Sequence, residues 1–159
     1  MSPSRDRALS PVLGVVLLVA VAVALAAVVG GAVLAGADPA APPPSVHLDC
    51  RVDVAVDRVA CVHGGGDALD VRDLQVRLSV NGEPLAHQPP VPFFAARGFH
   101  AGPTGPFNSA ADPRWTAGET AGVSLASTNR PGLTPGAQVE IRIATDSYTV
   151  ARVEIIASA

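Results

Sequence analysis

The sequence predicts an N-terminal apolar α-helix followed by an all-β, antiparallel, sandwich-like globular domain. Three observations carry that expectation. An uncharged apolar run from Leu9 to Ala37 is longer than the roughly 18 to 25 residues that a membrane helix needs. A proline-rich stretch, Asp38-Pro39-Ala40-Ala41-Pro42-Pro43-Pro44, interrupts the chain behind it. Beyond that stretch apolar and polar residues alternate with period two, as in strands with one buried face. The expected organisation is a leader over residues 1–8, a helix over 9–37, a linker over 38–45 and a β-rich extracellular domain over 46–159.

The leader ends in three charges, Arg5, Asp6 and Arg7, set hard against the apolar run. Ser10 is a favoured N-cap and Pro11 suits the first helical position, where its missing N–H is harmless, so the helix is expected to begin about Leu9. From Val12 onward nearly every residue is Val, Leu, Ala or Gly, giving a helix about 40 Å long that is apolar on all faces and needs lipid or other helices around it. Ala22, Ala26 and Gly30 form one row at spacings of four, and Ala27, Gly31 and Ala35 another. Small residues at that spacing let helix backbones approach closely. The plainer reading is that alanine is frequent in this chain.

The stretch Arg7-Ala8-Leu9-Ser10-Pro11-Val12-Leu13-Gly14-Val15-Val16-Leu17 resembles the processing site and helix start of archaeal type IV pilins: a basic residue, a small residue, a cut, then a hydrophobic residue and a Ser-Pro run. Similarity is patchier downstream. His63-Gly64-Gly65-Gly66-Asp67-Ala68-Leu69 and Trp115-Thr116-Ala117-Gly118-Glu119 resemble the Gly-Gly-Asp and Trp-x-x-Gly-Asp/Glu segments of that family. Bacterial type IV pilins usually carry Glu at the fifth mature position, where this chain has Leu13, so the resemblance is to the archaeal branch. It implies removal of the leader between Ala8 and Leu9 by a membrane aspartic prepilin peptidase, with Arg7, Ala8, Leu9, Ser10 and Pro11 as the processing site. It further implies an assembly ATPase and a membrane platform protein as partners. The role it implies is that of a surface filament subunit used in adhesion, built from copies of this chain or with other pilins.

Other readings of the N-terminus compete. Ala35-Gly36-Ala37 offers a small-x-small secretory cut, but the apolar core before it is about twice the usual 7 to 15 residues. A simple anchor on a solitary binding domain satisfies the length requirement equally well. A lipoprotein is disfavoured, because the first cysteine after the apolar run is Cys50.

In the remainder, Val46, Leu48, Cys50, Val52 and Val54 alternate with polar residues, and Val59, Cys61 and His63 continue the pattern after a turn near Val56-Asp57. Leu74, Val76, Leu78 and Val80 then alternate up to Asn81-Gly82, a strong hairpin signal. Further strands are expected over Val123–Leu125, Val139–Ala144 and Tyr148–Ile156. A hairpin centred near Ala55-Val56 places Cys50 opposite Cys61. In an oxidising compartment the pair can form a disulfide, the alternative being two reduced, buried cysteines. The Pro- and Gly-dense segment from Pro89 to Pro113 holds Phe93, Phe94, Phe99 and Phe107. Packing over one end of the sandwich is favoured for it, with subunit contact as the minor alternative. Trp115 reads as a core anchor.

Composition narrows the function classes. The formal net charge is −3, with 16% charged residues, which gives no basic surface for nucleic acid. All the basic residues other than histidine are arginine. No Gly-x-Ser-x-Gly elbow, phosphate-binding loop or His-Glu-x-x-His motif occurs, so neither catalytic residues nor a cofactor are expected. Asp67, Asp70 and Asp73 lack EF-hand spacing and read as turn caps or solvent-facing groups rather than calcium ligands. His47, His63, His87 and His100 are scattered and read as surface or edge residues. Asn81, Asn108 and Asn129 lack the Asn-x-Ser/Thr acceptor pattern.

Overall fold

The computed structural model describes residues 6–36 and 42–158, with the backbone alone at 6–10. The chain divides into two compact units, Met1–Pro42 and Pro43–Ala159. In the first, helix α1 runs over Asp6–Ala35 with Pro11 inside it. The helix, expected to begin about Leu9 with Ser10 as its cap, begins instead at Asp6. Arg7, Ala8 and Leu9 are good helix formers, and an internal proline removes one backbone bond without necessarily ending the helix. At the far end Gly36 N–H donates to the Ala32 carbonyl at 3.1 Å. Residues 1–5 of the expected leader and 37–41 of the expected helix end and linker lie outside the described residues.

The second unit is antiparallel throughout its named strands. β1 (Val46–Asp53), β2 (Arg58–Gly66) and β7 (Thr120–Ser124) form one sheet in the order β1-β2-β7. β5 (Glu83–Pro84), β4 (Gln75–Val80), β8 (Gln138–Ala144) and β9 (Thr149–Ile156) form a second in the order β5-β4-β8-β9. A short ribbon pairs β3 (Leu69–Asp70) with β6 (Arg114–Trp115). Leu48, Val52 and Val59 from the first sheet share one buried core with Val76, Leu78, Val139, Ile141 and Ile143 from the second. The two sheets thus bury their apolar faces together, as period-two alternation requires.

Turn chemistry sets the registers. Asn81 and Gly82, both at positive φ (51° and 81°), join β4 to β5 so that Val80 faces Glu83; this is the primed turn that Asn-Gly favours. The β1–β2 hairpin places Cys50 opposite Cys61, and the two are disulfide-bonded. Phe93, Phe99 and Phe107 are buried, while Phe94 is exposed, so the phenylalanine-rich loop packs on the domain through three of its four rings. Two polar residues hold that loop in place. Buried Asn129 accepts from His87 N–H and donates to the carbonyls of His87 and Gly98. Gln88 exchanges hydrogen bonds with both backbone groups of Leu78.

The bridge closes a loop of 11 residues of sequence separation, for which chain-entropy bookkeeping gives about 2 to 3 kcal/mol. A Cys50→Ala/Cys61→Ala variant of the Pro43–Ala159 unit is expected to unfold at lower urea, by about that free energy. Equal midpoints for the variant and the oxidised parent would contradict the bridge's stabilising role.

Candidate functional site

The helix is the first candidate site. By length and composition Pro11–Ala35 can cross a membrane, and none of it is buried. Val12, Leu17, Leu25, Val28 and Leu34 are all exposed. The rows Ala22, Ala26, Gly30 and Ala27, Gly31, Ala35 lie on this one helix, and Cβ atoms built on Gly30 or Gly31 meet nothing within 4 Å. With this cylinder bare on all sides, any covering must come from outside these residues. Of the five residues of the expected processing site, all lie within α1.

The second candidate is where the two downstream glycine- and tryptophan-bearing segments meet. They are far apart in sequence, yet the fold joins them beside the start of β1. His63 N–H donates to the Glu119 carbonyl at 2.9 Å, and Gly118 N–H donates to the His63 carbonyl at 2.7 Å. The Trp115 indole N–H donates to that same Glu119 carbonyl at 3.0 Å. The Glu119 carboxylate accepts from the backbone N–H and hydroxyl of Thr116, closing the turn that Gly118 permits at φ 92°. Trp115 is fully buried, edge-on to Phe107 and His63 with ring centroids 5.3 and 5.9 Å away.

His63 is a correction to the sequence reading, since it is fully buried rather than at the surface or edge. Its alternation with Val59 and Cys61 turns it inward. Its Nε2–H donates to the Asp67 carbonyl at 2.9 Å, and its Nδ1 is buried with no hydrogen-bond partner among the described residues. One residue later β2 shifts register against His47 and Leu48. The bulge hands the chain to Gly65 and Gly66, both at positive φ. Ser45 then docks at this corner: its N–H donates to the Asp67 carboxylate at 2.9 Å, and its carbonyl accepts from Asp67 N–H at 2.9 Å.

Asp67 thus holds Ser45, and Asp70 accepts from the Arg72 backbone N–H and guanidinium. Both behave as caps. Among the described residues no group of three or more His, Cys, Asp or Glu is arranged to hold a metal ion. On the four-stranded sheet, register aligns Arg77, Arg142 and Arg152 in one row beside Glu140 and Glu154 in the next. Arg152 Nε lies 3.3 Å from the Glu140 carboxylate, joining the two rows, and the charge sorting keeps this face in water.

By class, then, this is a two-part protein: an apolar helix with no covering of its own, and a disulfide-bridged antiparallel β unit. Residues 7–48 match the family described as archaeal type IV pilin, N-terminal. An uncharacterized protein of Archaeoglobus fulgidus is 40% identical over 80 residues, covering 49% of this chain and 55% of that protein. The match thus spans just over half the length of that curated relative.

A Cβ on Gly66 would lie 2.1 Å from the Ser45 carbonyl oxygen, and its φ of 100° already disfavours a side chain. Gly66→Ala is expected to destabilise the β unit by at least about 2 kcal/mol and to speed amide exchange at Ser45 and Asp67. Exchange unchanged from the parent would dissolve the corner as a docking point.

The Arg72 guanidinium and backbone N–H lower the Asp70 pKa to about 2. Because the folded value is depressed, the pair's contribution is present above the ordinary carboxylate range and is lost as pH falls through about 2. A carboxyl-carbon NMR titration should show that low midpoint in the parent, and its return toward about 3.9 in Arg72→Ala. A parent midpoint already near the ordinary value would disprove the pairing.

Proposed function

We propose that this chain is a structural subunit of an archaeal type IV pilus-like surface filament. The observation that carries the reading is the match over residues 7–48 on a helix that is apolar and uncovered throughout its Pro11–Ala35 span. Lipid covers the helix of the membrane-held precursor. A prepilin peptidase then cuts between Ala8 and Leu9, and helices of neighbouring subunits replace lipid in the filament. No apolar surface meets water at either stage. The rows Ala22, Ala26, Gly30 and Ala27, Gly31, Ala35 are where those helices approach most closely. An assembly ATPase and a membrane platform protein act as partners. The role is adhesion by the exported β unit rather than catalysis. Cys50 bonded to Cys61 supports an oxidising destination.

The second reading is a solitary anchored binding domain. It needs the same helix but no helix neighbours, and the two readings separate experimentally. The mature chain is expected to begin at Leu9 by intact mass, and an N-terminus at Asp38 would remove the pilin reading altogether. Ala26→Leu and Gly30→Leu keep the helix apolar, so membrane insertion should persist while the sheared-filament pool falls several-fold. Wild-type chain absent from every filament would leave the solitary anchor.

A further inference from the structure

The cut proposed above faces a physical obstacle, because the bond between Ala8 and Leu9 lies inside α1 of the uncut chain, two residues beyond its first residue. A peptidase acts on backbone that has opened locally, and where opening is fast the cleavage rate follows the population of the open form. Ala8 and Leu9 are among the strongest helix formers and oppose opening. From Asp6 to Leu13 the chain has no glycine, and its single proline is Pro11.

Pro11 acts on one particular carbonyl. In an α-helix residue 11 would donate its N–H to the carbonyl of residue 7. Pro11 has no N–H to give, and its ring presses on that same carbonyl. The Arg7 carbonyl therefore has no helical donor at its i+4 position, one residue before the bond to be cut. We propose that Pro11 is a positioning residue for leader removal: it keeps the helix openable at Ala8–Leu9 in the precursor and becomes neutral once the cut is made. This rests on the processing site read above. In the cut itself one water is consumed. Its hydroxyl goes to the Ala8 carbonyl carbon and its proton to the Leu9 nitrogen, leaving a carboxyl on the leader and a free amine on the mature chain.

The cut also changes what Pro11 does. Arg7, whose carbonyl the ring presses on, departs with the leader. Leu9 becomes the first residue and Pro11 the third, where backbone N–H groups have no intrahelical acceptor and a proline forfeits nothing. The same residue thus weakens the precursor helix and leaves the product helix intact.

The test follows leader removal from the full-length precursor in membranes holding a prepilin peptidase, with intact mass as the readout. Pro11→Ala is expected to slow removal at least tenfold, while membrane insertion is unchanged. Pro11→Gly, which restores the N–H but remains a poorer helix former than alanine, is expected to be slower than the parent and several-fold faster than Pro11→Ala. Amide exchange at Ser10 and Val12 of the uncut precursor should slow in the Ala variant. Two results overturn the proposal: removal from Pro11→Ala at the parent rate, or Pro11→Gly as slow as Pro11→Ala, which would mean that the proline ring itself is recognised. A parent chain never cut at Ala8–Leu9 refutes the processing site instead, and the proposal with it.

Discussion

The constraint on which the rest depends is that α1 is apolar on every side and has nothing of its own to cover it. A helix of this kind cannot stay in water, so the chain must always hold it in lipid or against other helices. Among the described residues the core of the β unit is built from Leu48 onward. That unit has to be stable by itself, and its construction reflects this. Two sheets bury one shared core, a disulfide ties the first hairpin, and Trp115 is sealed between Phe107 and His63.

Much of this was legible because it depends on residues close together in sequence. Period-two alternation located the long strands. Asn81-Gly82 located a hairpin, and the parity of Cys50 and Cys61 about a turn near Ala55-Val56 located their pairing. The rest depends on contacts that no local pattern encodes. Asn129 bonds to His87 and Gly98, with separations of 42 and 31 residues, and nothing around it in sequence marks it as a staple. The joining of His63 to the Trp115–Glu119 turn is likewise visible only after folding. For His63, a general expectation that histidines lie at the surface outweighed the strand parity that correctly turned it inward.

The helix start shows a different kind of failure. Ser10 and Pro11 read as a beginning because they suit the end of a chain or a cap, whereas α1 already runs through them from Asp6. Local propensity and present structure then disagree at the one place where the chain is expected to change length.

The disulfide has a mechanical consequence that follows from connectivity alone. Tension pulling on the N-terminal helix enters the β unit by way of Ser45 and β1, which lies at the edge of its sheet, with β2 central in the order β1-β2-β7. Hydrogen bonds between antiparallel strands peeled from one end give way one after another. Here peeling can run only from Val46 as far as Cys50. At that residue the covalent link to Cys61 transfers the load to the central strand, so extension stops with Val52, Val59 and the rest of the core beyond Cys50 still in place.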